Sequence, residues 1–122
     1  MHQKITIALD MMSGDHGASS SVPAAIDTLE RFNDIFLILV GDQKKINAFL
    51  SDKTRALEGI RYKIIHTEEF ISMNDEIIAA IRTKKNSSMR LGINAVKDKN
   101  ADACVSAGNT GALMALSKII LK

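Results

Sequence analysis

Ala101-Asp102-Ala103-Cys104-Val105-Ser106-Ala107-Gly108-Asn109-Thr110-Gly111-Ala112-Leu113 reads as a strand that turns through glycine into a helix. Residues 101–105 make a short apolar run of strand length, and residues 113–121 contain no breaker and read as helix. Such a turn leaves several backbone N–H groups unpaired at the helix start. With the positive end of the helix dipole, those donors form a ready site for an anion. Gly108 and Gly111 are expected to permit tight turning and close approach of a ligand. Ser106, Asn109 and Thr110 can add side-chain hydrogen bonds. The expected ligand is phosphate or another small oxyanion. The same residues also suit a plain helix cap at Asn109 or Thr110, and local chemistry leaves both readings open. The stretch is neither a Walker loop, since no Gly-Lys-Ser/Thr ending follows, nor a G-x-G-x-x-G dinucleotide turn.

Upstream, the chain alternates strand and helix. Residues 4–9 (Lys-Ile-Thr-Ile-Ala-Leu) predict a first strand ending at Asp10, followed by a loop over residues 11–19. Ser19, Ser20 and Ser21 are N-cap candidates, Pro23 suits a first helical turn, and Val22, Ile26, Leu29 and Phe32 share one helical face. Residues 35–40 (Ile-Phe-Leu-Ile-Leu-Val) form a continuous apolar run closed by Gly41-Asp42, the mark of a strand buried on both faces. A second helix is expected from near Asp42 with Ile46, Phe49 and Leu50 inward, then a polar connection over 53–59 and a third strand over 60–66. Residues 73–84 predict a helix with Ile77, Ile78 and Ile81 inward. Ser87 or Ser88 caps another helix running to about Lys99, with Met89, Ile93 and Val96 on its apolar side. This order predicts an α/β fold, a three-layer Rossmann-like αβα arrangement with a mainly parallel sheet. At 122 residues there is room for a single domain, 1–122.

Composition narrows the function. A net charge of +2 is too mild to argue for nucleic acid, and with four Phe, one Tyr and no Trp the chain lacks stacking platforms for single strands. The lone Cys104 forms no internal disulfide, fits a reducing compartment, and reads as a core residue rather than a nucleophile. No run approaches the ~20 apolar residues of a membrane span and no signal peptide is apparent, so the cytoplasm is the expected location. In an open parallel sheet, ligands bind beyond the carboxyl ends of the strands. Two polar, glycine-bearing loops leave those ends: 10–17 and 106–111. Should the first and fourth strands be neighbours, Asp10, Asp15 and His16 become the titratable groups nearest a bound anion. His16 is then a general acid or base, or simply an exposed loop histidine. Asp10 suits a hydrogen-bond acceptor for its loop better than a metal ligand, and the three together make a weak cation set. The one marked charge concentration holds Arg82, Lys84, Lys85 and Arg90. It reads as a solvated face or as a contact for an acidic ligand or protein.

Ser87-Ser88-Met89-Arg90, the 101–115 block, and Ala8-Leu9-Asp10-Met11-Met12-Ser13-Gly14-Asp15-His16-Gly17 resemble the bacterial phosphate acyltransferase family of phospholipid synthesis. The spacing, including Val40-Gly41 and Ala80-Ile81-Arg82, fits as well. The resemblance covers nearly the whole chain but corresponds only to that family's N-terminal part, so an incomplete domain is expected. It implies transfer of a fatty acyl group from acyl carrier protein to inorganic phosphate, giving acyl phosphate and the free carrier thiol. No metal or organic cofactor is implied. The carrier is acidic, which makes Arg82, Lys84, Lys85 and Arg90 its candidate contact. A homodimer and peripheral membrane association are also implied. Ser13, Ala18 and Ile77 stand where the family usually has glycine, proline and proline, and Ser13 is expected to restrict a loop needing positive φ. Two alternatives remain: a phosphate acetyl- or butyryltransferase-like enzyme using coenzyme A, and a non-catalytic anion-binding remnant. The nearly all-apolar last helix predicts an isolated chain that self-associates and forms no acyl phosphate.

Overall fold

The computed structural model describes residues 4–122. Its strands β1 (Ile5–Asp10), β2 (Ile35–Gly41), β3 (Tyr62–His66) and β4 (Ala103–Val105) form one all-parallel sheet in the order β3-β2-β1-β4. The α/β reading holds. The chain steps outward from β1 through β2 to β3, then returns past β1 to lay β4 on its other side. The reversal places a topological switch point between β1 and β4, where parallel sheets open a crevice at the strands' carboxyl ends. Register aligns those ends, with Leu9 opposite Val105.

The helices are α1 (Ala18–Arg31), α2 (Gln43–Asn47), α3 (Asp52–Arg55), α4 (Ile77–Thr83), α5 (Ser88–Lys97) and α6 (Thr110–Leu121). Alternation along β2 explains the layering, because successive side chains point to opposite faces. Leu37 and Leu39 pack with Val22, Ala25 and Leu29 of α1 and Ile46 of α2 on one face. Ile38 and Val40 pack with Ala8, Ala95 and Ala101 beneath α5 on the other. A third cluster lies beyond α5, where Ala112, Leu116 and Ile120 of α6 meet Met89, Ile93 and Ala80.

Several expectations shift. α1 begins directly after Gly17, whose φ of 52° is the left-handed turn only glycine adopts cheaply, so the serines are not its cap. Pro23 therefore sits inside the helix rather than in its first turn. Phe32 lies past the helix end in solvent, because α1 stops before its stripe reaches that residue. α2 ends at Asn47, which leaves Phe49 exposed, and Ser51 caps a short helix where a polar connection was expected. The third strand starts at Tyr62, with Ile60 exposed, and the fourth is only three residues long. α4 begins at Ile77 because the Glu76 carboxylate caps it, accepting from the N–H groups of Ile78 and Ala79 at 3.2 and 2.7 Å. Ile78 then faces solvent, and Ala80 fills the inward position. α5 starts one residue after its cap Ser87 and ends at Lys97.

Candidate functional site

Asp10 ends β1 and is 4% exposed, a carboxylate buried beside the switch point. Burial of an acid is tolerated when its oxygens are satisfied, and here the donors come from three separate segments. The Met12 N–H donates at 3.2 Å from the loop after β1, and the Ser13 hydroxyl donates from the same loop. Ser88, at the start of α5, donates its hydroxyl to Oδ1 at 2.5 Å. Ser106, just past β4, donates to Oδ2 at 2.8 Å and accepts from the Gly108 N–H at 3.1 Å. Asp10 thus ties β1, α5 and the turn into α6 to one point. It serves as the acceptor for its loop, as expected, and as a hub for two further segments.

The loop after β1 meets the turn after β4 across this hub. Gly108 and Gly111 have ordinary φ, so neither supplies left-handed geometry; the positive-φ glycines are Gly14, Gly17 and Gly59. Gly108 is instead pressed against Ser13, where an added Cβ would lie 2.6 Å from the serine Cβ. Gly111 packs under Ile77 in the same way. Ser13 does not need positive φ, and its hydroxyl joins the Asp10 cluster, so the expected restriction at that position does not arise.

Asn109 is the N-cap of α6, its Oδ1 accepting from the Ala112 N–H at 3.2 Å. Its amide nitrogen faces the carbonyls of Ser72, Met73 and Asp75 at 3.4–3.5 Å. Thr110 opens the helix and is exposed. The structure therefore brings Asp10, Ser106 and Gly108 together, while Asn109 and Gly111 look toward the 72–77 segment and Thr110 faces solvent. Ser13 and Ser88 were not singled out as partners of Asp10. Ser88 is 78 residues away, and its sequence signals were its place in the Ser87-Ser88-Met89-Arg90 motif and its candidacy, with Ser87, as a helix cap.

A cleft of about 410 Å³ opens above the switch point. Asp10, Ser13, Ser20, Ser21 and Ala107 line it, and Asp15 and His16 stand exposed on its wall. The start of α1 faces the cleft with no side-chain cap. Among the described residues no group of three His, Cys, Asp or Glu is placed to hold a metal ion, so Asp10, Asp15 and His16 do not form a cation set. Cys104 sits half-buried beneath Gly92, and burial together with the Asp10 charge pushes its thiol up to about 11. At neutral pH it is a protonated packing residue rather than a nucleophile.

The basic cluster divides. Lys84 donates to the Asp75 carboxylate and to the Phe70 carbonyl, the latter at 2.9 Å, and lies over the Phe70 ring. Arg90 donates to the Ile81 carbonyl at 3.1 Å, satisfying the end of α4. Arg82 and Lys85 are exposed. No helix among the described residues is long and apolar enough to cross a membrane.

A family model described as "Fatty acid synthesis protein" matches residues 5–122. The phosphate acyltransferase of Shewanella sp. (strain ANA-3) is 51% identical over 118 residues, 97% of this chain and 34% of that protein. The phosphate acyltransferase of Shewanella baltica (strain OS155) is 52% identical over the same share of each. The chain spans about a third of the length of these relatives. From its parallel sheet with a hydroxyl-lined switch point to this match along nearly all of its length, the chain belongs to the fatty acid synthesis protein family.

Proposed function

We propose that the chain carries the phosphate-side part of a site that moves a fatty acyl group from acyl carrier protein to inorganic phosphate. The observation that carries this reading is the meeting of the two glycine-bearing loops at the β1–β4 switch point, locked by Asp10 through Ser13, Ser88 and Ser106. A phosphate oxygen attacks the thioester carbonyl carbon, a C–O bond forms, the C–S bond breaks, and the sulfur leaves to become the carrier thiol. Such a step needs positioning and donors at the developing oxyanion. The start of α1, which has no side-chain cap and borders the cleft, offers donors of that kind. Ser106 and Gly108 order the second loop, Asn109 sets where α6 begins, and Gly111 lets Ile77 close over it. His16, which lines the cleft beside Asp15, is the residue we assign to pass a proton to the leaving sulfur. The carrier docks on Arg82 and Lys85, the two exposed cations of the basic cluster, with Lys84 and Arg90 holding the surface beneath them. The intact enzyme works as a cytoplasmic homodimer that can rest on the membrane surface.

The test is a hybrid in which residues 1–122 replace the matching segment of the Shewanella relative. Acyl phosphate should form from the acyl carrier protein thioester and phosphate, and much less from a coenzyme A thioester. Asn109→Ala should cost about 0.5–2 kcal/mol, because losing the cap on Ala112 lets the start of α6 and the 106–108 turn before it shift. Unchanged phosphate saturation and turnover in that variant would overturn the assignment of the 106–111 loop. A hybrid that prefers coenzyme A would overturn the carrier.

A further inference from the structure

The turn formed by residues 14–17 has a second side. Beyond it lies another cleft, of about 520 Å³, floored by Met12 and Ala18 and walled by Ala48, Phe49 and Phe70. Gly14, Asp15, His16 and Gly17 line both this cleft and the polar one, so a single turn is the partition between them. The two sides differ in chemistry. One presents serine hydroxyls and the Asp10 hub beside Leu9, Ala24 and Val105; the other presents aromatic and methyl surface, with Ser19 and the cation of Lys45 also lining it. Phe49 is 47% and Phe70 37% exposed, large apolar area left facing the cleft. Phe49 also lines a further groove of about 250 Å³, apolar along Ile26, Leu29 and Leu57 and polar along Glu30, Ser51, Lys53 and Thr54.

We infer that the cleft walled by Ala48, Phe49 and Phe70 is the subsite for the acyl chain, its carboxyl end lying over the 14–17 turn toward the polar cleft. The inference rests on the proposed transfer of an acyl group to phosphate. Group transfer requires the two substrates to meet at the reacting carbon, and the only structure common to the two clefts is this turn. An apolar pocket of a few hundred cubic ångströms with a few polar groups at one end is the form that binding sites for such ligands take. The exposed apolar side chains of α6, Met114 and Ile119, lie on neither cleft and have no such junction with the polar site.

The experiment labels the intact 122-residue chain with a diazirine-bearing dodecanoic acid at low micromolar concentration and maps the adducts by mass spectrometry. Adducts should fall within residues 45–49 and at Phe70, and competition by octanoate, nonanoate and decanoate should strengthen roughly fourfold per methylene. Phe49→Ala/Phe70→Ala should lower the labelling at least tenfold. Met114→Ala/Ile119→Ala should leave it unchanged. Adducts on α6, or competition independent of chain length, would overturn the subsite; because both are read on the unmodified chain, the result does not depend on how the variants fold. A parallel arm follows amide hydrogen exchange at residues 14–20 and 106–111 with and without inorganic phosphate. Phosphate protection without acyl labelling would sink this inference and leave the proposed function standing. Acyl labelling without phosphate protection would sink the phosphate reading, and with it the role given to the cleft.

Discussion

Removing the Asp10 carboxylate takes the acceptor from three serine hydroxyls at once. Asp10→Ala should destabilise the chain by roughly 2–4 kcal/mol, because hydrogen bonds to a buried charge are the costly ones to lose. Asp10→Asn keeps one oxygen and the shape and should cost clearly less. Urea unfolding of both variants checks this, and equal midpoints for Asp10→Ala and the parent would exclude the hub. Asp75 offers a pH test. Its carboxyl is held below its ordinary value first by the hydrogen bond from Lys84, then by the Ser72 N–H and the Lys84 charge. A depressed folded-state value means the stabilisation is fully present above the unfolded carboxylate range and fades as pH falls through the folded value. Lys84→Met should therefore flatten the loss of stability below about pH 4. The pair is about a third exposed, so water screens it and the effect at neutral pH should be small. An unchanged acid limb in thermal melts would show that the pair contributes nothing.

α1 carries a local cost that its packing outweighs. Pro23 lies in its sixth position, where it has no N–H to offer the Ser19 carbonyl and its ring crowds that turn. The helix persists because Val22, Ala25 and Leu29 are buried against the sheet. Pro23→Ala should then raise stability by about 1–3 kcal/mol, the interior helix preference of alanine over proline less whatever the unfolded chain gains in freedom. A lower thermal midpoint in that variant would mean that the proline is needed to shape the cleft side of α1. At the other end of the site, α6 shows how little a helix's composition says about its exposure. Its residues are apolar nearly all round, yet only the stripe Ala112, Leu116 and Ile120 is fully buried, because α6 packs on α4 and α5 rather than between layers.

Taken as a whole, the 122-residue chain leaves Met114 69% and Leu121 43% exposed, seven residues apart and thus on one helical stripe, while Val105 on the sheet edge is also exposed. Apolar surface of this kind associates with other apolar surface. The isolated chain is expected to sediment with a concentration-dependent mass, and Met114→Lys/Leu121→Lys should lower that mass toward the monomer. A parent chain that stays monomeric at high concentration would refute this. Charge at the scale of the molecule is weak, so the proposed docking of an acidic carrier would depend on Arg82 and Lys85 locally. Their reversal to Glu, rather than that of Lys84, is the variant that leaves the Asp75 pair intact.

The alternation of strand and helix, the doubly buried second strand, a helix start near Asp42 and caps within the pairs Ser87/Ser88 and Asn109/Thr110 were legible in the order of residues. Burial periodicity and capping are properties of neighbours along the chain. Family membership was legible for the same reason, since the two glycine-bearing loops are contiguous motifs. Which strands adjoin was not, because four parallel strands admit several orders and the docking of helices on both faces selects one. That order set Ser106, 96 residues away, against Asp10. It also turned Asn109 toward the 72–75 carbonyls and pressed Gly108 on Ser13. Lys84 and Arg90 looked like free cations in the sequence and became structural groups once α4 and the 69–75 segment folded beside them. Periodicity tells a side chain whether it is buried; only the tertiary structure decides what it is buried against, because the partners that satisfy a hydroxyl, a carboxylate or an ammonium are chosen in space.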